Sequence, residues 1–210
     1  VNQSLFVVAN TTGTTSTGGK TFIFNINSTN DVTTTGGTTG TSVLENLTGT
    51  ASTSSTIFGN MTITGKNVVN STVPIGTETS VLQLNFTAVG EQMDISMINI
   101  SVIGTATEAN LTNVRLMNDT NANGAFDSSD TQIGAQLNTT VGSTTFKFTT
   151  TAFNVSAGSD KTLFVVVNTS TAAGVGGKTF NLSLASTAEI NTYTPSSGQN
   201  ITEVLVTTTS

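Results

Sequence analysis

The sequence predicts an all-β protein built of antiparallel sandwich units. Three observations carry this. Charged residues are only 9 % of the chain, while Thr, Ser, Asn and Gly are abundant, and β-branched residues with few charges favour strands over helices. Apolar residues alternate with polar ones in several short runs, the period of a strand with one buried face. Clusters of Gly, Asn and Ser/Thr separate these runs, as turns between strands require. Roughly seven such strands suit an immunoglobulin-like sandwich.

The strands are clearest in the second two-thirds of the chain. Leu82, Leu84 and Phe86 share one face of the run that starts at Val81, and Ile98, Ile100 and Val102 alternate with Asn99 and Ser101. Val114 and Leu116 form the next run, and Phe146 and Phe148 flank Lys147. Leu163 to Val167 is continuously apolar, which marks a central strand covered on both faces. Phe180, Leu182 and Leu184 alternate again, and Ile201 to Val206 gives a closing strand. Nearer the start, the strand candidates are Leu5 to Ala9, then Phe22, Phe24 and Ile26, then runs near Val43 and from Ile57 to Ile63. Pro74 and Pro195 belong at turns or sheet edges, where a missing N–H costs no ladder bond.

Two blocks of the chain are copies of each other. Ser4-Leu-Phe-Val-Val-Ala-Asn-Thr11 matches Thr162-Leu-Phe-Val-Val-Val-Asn-Thr169, and Gly18-Gly-Lys-Thr-Phe22 matches Gly176-Gly-Lys-Thr-Phe180 at the same offset. A period this long repeats a whole domain and not a solenoid rung. Residues 67–210 hold one complete sandwich, whereas residues 1–66 match only its closing part. A part-sandwich exposes an apolar face and unpaired edges. A neighbouring subunit or upstream sequence is therefore expected to complete residues 1–66. The strand Leu5, Phe6, Val7, Val8 is the candidate for donation to a neighbour. Gly-Gly-Lys-Thr also occurs in phosphate-binding loops, but Thr14 and Ala172 stand where that motif needs its first Gly, and strands follow where it needs a helix. A glycine turn entering a strand accounts for both copies.

Composition excludes several functions. The formal net charge is -6, and only six Lys and Arg are scattered over 210 residues. That cannot form a phosphate-binding face, so nucleic acid is not an expected partner. There is no His, Cys or Trp, which removes the usual general base, thiolate ligands and nucleophile pairs. Glu91 and Asp94 are the nearest carboxylate pair outside the loop described next, and a solvated turn explains them, so no enzyme is expected. No apolar run reaches the roughly 20 residues needed to span a bilayer.

The most specific segment is Asp119-Thr-Asn-Ala-Asn-Gly-Ala-Phe-Asp-Ser-Ser-Asp130. Calcium takes about six to eight oxygens, and loops that bind it offer them at places 1, 3, 5, 7, 9 and 12, with Gly at place 6 for the bend. Asp119, Asn121, Asn123, Ala125 through its carbonyl, Asp127 and Asp130 hold those ligand places, and Gly124 holds the sixth. Asp in place of Glu at the twelfth shortens that arm. Alternating residues flank the segment on its N-terminal side, so a structural Ca2+ site between β-strands is expected. The alternative is an Asx-rich turn that bonds only its own backbone.

Asn-x-Ser/Thr occurs fifteen times, and such sites mark exposed positions of secreted proteins. N-linked glycans are expected at several of Asn2, Asn10, Asn27, Asn46, Asn60, Asn70, Asn85, Asn99, Asn110, Asn138, Asn154, Asn168, Asn181 and Asn200. Of these, Asn85, Asn99 and Asn181 fall on the polar parity of a strand, where a sugar would point to solvent. Asn118 abuts the calcium loop and is set aside. Sugar would keep a surface with so few charges soluble.

The 119–130 loop resembles the calcium loops of dockerins and EF-hands. The strand Val81 to Phe86, Ser101-Val-Ile-Gly104, Asn113-Val-Arg-Leu116, the loop through Gly134, and Lys161 to Val167 together resemble repeat domains of archaeal cell-surface proteins. The Thr/Ser/Asn richness more loosely resembles archaeal thread or bundling-pilus subunits, which join by donating a strand. The resemblance implies an extracellular, glycosylated surface filament or surface layer whose partners are copies of the same chain. A second expectation is an adhesin or carbohydrate-binding module of a longer repeat protein, with surface glycans as partners. It would need exposed aromatics, and Tyr193 is the sole Tyr.

Overall fold

A computed structural model describes residues 6–9, 21–26, 55–56, 59–69, 72–137, 145–195 and 202–206. The strands, in chain order, are β1 (Thr21–Phe22), β2 (Ser55–Thr56), β3 (Asn60–Asn67), β4 (Glu78–Val89), β5 (Met93–Gly104), β6 (Leu111–Asn118), β7 (Thr131–Leu137), β8 (Thr145–Val155), β9 (Asp160–Thr169), β10 (Phe180–Ser183), β11 (Ile190–Tyr193) and β12 (Thr202–Leu205). No α-helix occurs among the described residues, and none of their helical turns is long and apolar enough to cross a membrane. The expected run near Val43, together with Leu5, Ile57 and Ile201, lies outside the described residues.

Two sheets make the sandwich. One has six strands in the order β12-β3-β4-β9-β6-β7. The other centres on β5, which pairs β8 along one edge and β10 then β11 along the opposite one. Alternation places Leu82, Leu84, Phe86 and Ala88 of β4 fully inside, opposite Ile95, Ile98 and Ile100 of β5 in one shared core. Phe86 of the first sheet meets Phe153 of the second edge to face, with centroids 5.7 Å apart, the arrangement that ring quadrupoles favour. The Lys161 ammonium lies 5.6 Å from the centre of the Phe153 ring.

β9 explains its own unbroken apolar sequence. β4 lies on one side and β6 on the other, in register Leu163↔Leu84 and Leu163↔Asn118. Leu163, Val165 and Val167 point into the main core. Phe164 and Val166 point outward, and Met117 and Phe126 cover them in a second small cluster. From Leu163 to Val167 neither face of β9 meets water.

The structure differs from the sequence reading in three places. The boundary expected after residue 66 falls inside β3, whose Met61 and Ile63 are fully buried in the core. The sandwich therefore takes in residues 60–67. The pairing is not wholly antiparallel, because β12 runs parallel to β3 in register Thr202↔Asn60 through Leu205↔Ile63. Residues 6–9, expected as a strand, belong to no sheet among the described residues and lie exposed, with Phe6 at 83 %, Val7 at 69 % and Val8 at 87 %. Among the described residues β1 pairs with β2 alone, over two residues each.

Glycine is required where β5 ends. Gly104 has φ +136, and a Cβ there would lie 2.4 Å from the carbonyl oxygen of Thr179. This close approach brings the β9–β10 connection against the end of β5. The core makes one direct prediction. Truncating Phe86, which is fully buried, to Ala should destabilise the sandwich by about 3–5 kcal/mol in denaturant unfolding, with the m-value unchanged.

Candidate metal centre

The loop 119–130 joins β6 to β7, and the paired residues Asn118 and Thr131 close the two strands beneath it. Its two ends are the buried ones. Asp119 and Asp130 are each 8 % exposed, whereas Asn121 and Asn123 are exposed and Asp127 is half-buried. The Asp119 N–H donates to the Thr162 carbonyl of β9 at 3.0 Å, which ties the loop to the central strand.

Every ligand-type side chain of the loop accepts a hydrogen bond from the loop's own backbone. Asp119 accepts from the N–H groups of Asn123 at 3.1 Å and Gly124 at 2.8 Å, one on each carboxylate oxygen. Asn121 accepts from Asn123 N–H, Asn123 from Ala125 N–H and Asp127 from Ser129 N–H, at 3.3, 2.8 and 2.7 Å. These are three successive turns in which a side-chain oxygen replaces a backbone carbonyl. Asp130 closes the loop by accepting from Thr120 N–H at 3.3 Å and Asp127 N–H at 3.0 Å. The side-chain amides of Asn121 and Asn123 both donate to Asp127 Oδ2, at 3.1 and 2.7 Å. Gly124 takes φ +74 with open space around it. Its necessity is therefore conformational, since a left-handed residue without a Cβ makes the bend. Ala122 accepts φ 54 beside it.

This network brings together Asn121, Asn123 and Asp127 on one side and links Asp119 and Asp130 to the two ends. It does not gather three carboxylates. Among the described residues no group of three or more His, Cys, Asp or Glu side chains could hold a metal ion. A hard cation here would depend on amide and carbonyl oxygens as much as on carboxylates, a donor chemistry that calcium accepts. Ala125, assigned a backbone carbonyl role, is exposed and donates its N–H to Asn123.

Phe126 is the residue that ligand spacing overlooks. It occupies the eighth place of the loop and packs over the outer face of the sheet, its ring centre 6.2 Å from that of Phe164. An apolar residue amid polar ones was the available signal. Its partners were not legible, because they lie on β6 and β9.

The asparagines of the sequons divide. Asn60, at the start of β3, is exposed. Asn85, Asn99, Asn110, Asn154, Asn168 and Asn181 are half-buried, although parity directs Asn85, Asn99 and Asn181 toward solvent. The neighbouring strands of a wide sheet shade a short side chain. Asn85 Oδ1 accepts from the Thr162 hydroxyl at 3.3 Å, and Asn110 Oδ1 caps Thr107 N–H at 2.8 Å. Asn2, Asn10, Asn27, Asn46, Asn70, Asn138 and Asn200 lie outside the described residues.

Two other candidates also resolve. Glu91 is buried and accepts the Gly59 N–H at 3.1 Å, so it fixes the entry to β3, while Asp94 accepts from the Gln92 side chain. Tyr193, on which a sugar-stacking site would rest, is half-buried in β11. No family model matches the chain, and no curated protein matches it either.

Hydrogen bonds from the Ser129 backbone, then from the Asn123 and Asn121 amides and the Ser129 hydroxyl, lower the Asp127 pKa from 3.8 to about 2. A depressed carboxylate contributes stability above its unfolded pKa and loses it as pH falls through the folded one. The loop should therefore loosen as pH falls from about 4 towards 2. Asp127→Asn should flatten that part of the stability profile, as followed by hydrogen exchange at residues 120–130.

Proposed function

We propose that this chain is a structural, non-catalytic unit of an extracellular, N-glycosylated cell-surface filament or surface layer. Neighbouring units are joined by shared β-strands, and calcium in the 119–130 loop braces each sandwich. One observation carries the reading. The sequence Leu-Phe-Val-Val occurs twice, and its two copies stand in opposite surroundings. Phe164, Val165 and Val166 are at most 1 % exposed, while Phe6, Val7 and Val8 are 69–87 % exposed. A bare apolar segment of this kind could serve as a strand for another sheet, and strand addition supplies main-chain hydrogen bonds along its whole length.

Calcium fits the design as a staple. The loop's backbone is already ordered by its own Asx turns, and a cation would compete with these hydrogen bonds for the same oxygens. The sugars would supply the solubility that so few charges cannot.

Two measurements test this. Electron microscopy of the native material should show filaments or a layer, and Phe6→Asp with Val8→Asp should abolish them while leaving the melting of the 60–205 sandwich unchanged. Native material that is monomeric and compact defeats the reading. Calcium at about a hundredfold excess over its Kd should stabilise the sandwich by about 2.7 kcal/mol, and EDTA should reverse this. A melting curve indifferent to both removes calcium from the account.

A further inference from the structure

The loop that joins β6 to β7 carries a reactive pair of its own. Asn123 is the one Asn in the sequence that Gly follows. The backbone nitrogen after an Asn can attack that residue's side-chain carbonyl carbon, and Gly has no Cβ to obstruct the approach. Both residues are exposed, and a Cβ at Gly124 would meet nothing within 4 Å. Solvent therefore reaches the pair.

The chemistry needs no partner but water. The Gly124 nitrogen bonds the Asn123 Cγ and the Cγ–Nδ2 bond breaks. Nδ2 leaves as ammonia, with the proton that the Gly124 nitrogen gives up. Water then opens the cyclic imide at either carbonyl. Opening at one restores the ordinary backbone with Asp at position 123. Opening at the other leaves an isoaspartyl link, which routes the main chain through the Cβ and Cγ and lengthens it by a single carbon.

The structure holds the pair away from this reaction. The Gly124 N–H donates to Asp119 Oδ2 at 2.8 Å, and the Asn123 N–H donates to Asp119 Oδ1 at 3.1 Å. The Asn123 side chain is held at both of its polar atoms. Its Oδ1 accepts from the Ala125 N–H at 2.8 Å, and its Nδ2 donates to Asp127 Oδ2 at 2.7 Å. To cyclise, the Gly124 nitrogen must leave Asp119, and the Asn123 carbonyl must turn from Ala125 toward it. Asp119 is itself fixed, being 8 % exposed with its N–H bonded to the Thr162 carbonyl of β9. We propose that Asn123 is a self-modification site and that Asp119 is the latch that gates it. Asn123 survives while the loop is closed and converts in the fraction of time that the loop is open.

Conversion acts on the loop that bears it. In the Asp product an oxygen replaces the amide nitrogen that donates to Asp127 Oδ2. Two carboxylates then repel each other where a hydrogen bond stood. In the isoaspartyl product the added carbon displaces the turn onto Ala125, next to Phe126, the residue that covers Phe164. A loop that satisfies its own oxygens thus becomes one with facing carboxylates that a cation would bring together. This last step rests on the calcium reading above, whereas the conversion does not.

The test follows residue 123 in the whole chain at physiological temperature and neutral pH. Trypsin releases residues 116–147 as one peptide, and its fragmentation reports the exchange of NH2 for OH at position 123. Unfolded in guanidinium chloride, the chain should convert there before any other Asn. Folded, it should convert at least about tenfold more slowly, as for a group exposed only by local opening. Asp119→Ala should restore most of the lost rate while the melting of the sandwich persists. Asp119→Asn, which keeps one acceptor oxygen, should fall between, and it carries the comparison where Asp119→Ala does not fold. Asp127→Ala frees Nδ2 but leaves the Gly124 N–H latched, so it should accelerate conversion much less than Asp119→Ala. Equal rates in the folded and unfolded parent overturn the proposal. So does equal acceleration by Asp119→Ala and Asp127→Ala, which would mean loop disorder without a latch. Asn123→Asp separates the two readings. In calorimetry it should bind Ca2+ about tenfold more tightly than the parent, since ligand charge tunes affinity. If neither chain binds Ca2+, the calcium reading falls and the gated conversion stands.

Discussion

Everything in the sandwich depends on covering β9. Five consecutive apolar residues, Leu163 to Val167, leave this strand no face for water and no free edge. β4 and β6 satisfy its hydrogen bonds, β5 and β8 cap the core beneath it, and the 119–130 loop caps the far side through Phe126. Burying apolar surface contributes roughly 25 cal/mol per Å2, so a strand buried on both faces gains about twice what a strand with one buried face does. Its order is also the most costly to lose. The same five places in the first copy read Leu-Phe-Val-Val-Ala, with the identical demand and no strand among the described residues to meet it.

The loop belongs to the same constraint. An Asx-rich hairpin could stand clear of the sheet, as surface loops commonly do. This one is drawn down by the Asp119 N–H bond to Thr162 and by Phe126 over Phe164. Its polar residues face one another while its one aromatic residue faces the sheet. The loop is thus a lid on an outer apolar patch, and its internal hydrogen bonds keep the lid in shape. A cation would stiffen the same element, and through Thr162 the stiffening would reach β9.

The sequence told much of this, and physics explains the remainder. Alternation located β4, β5, β6, β8 and β10, because one buried face imposes period two. The unbroken run identified β9 as central. β3 was missed as part of the sandwich, since Met61 and Ile63 sit among Thr62, Thr64, Gly65 and Lys66 and the apolar signal is thin. The parallel pairing of β12 with β3 joins residues about 140 positions apart, and no local pattern encodes a partner so distant. Ligand spacing in the loop was legible because it is local, whereas the partners of Phe126 were not. Sequon parity gave the face of each asparagine but not its depth, which the neighbouring strands of the sheet determine.

That parallel pair has a consequence for assembly. When the first and last strands of a unit pair antiparallel, as in a hairpin, the chain enters and leaves at the same end. Here β3 and β12 run in the same direction, Asn60 beside Thr202 and Ile63 beside Leu205. The chain therefore enters the sandwich at one end and leaves at the other. The entry is fixed, because Gly59 donates to the buried Glu91 and a Cβ there would lie 2.6 Å from the Val89 carbonyl oxygen. The exit is held as well, since the Val206 N–H bonds the Ile63 carbonyl at 2.9 Å. A unit threaded from end to end in this way transmits tension along its terminal strands, and pulling on both ends shears the β3–β12 ladder instead of unzipping it. A sandwich crossed from end to end in this way would suit the in-line arrangement proposed above.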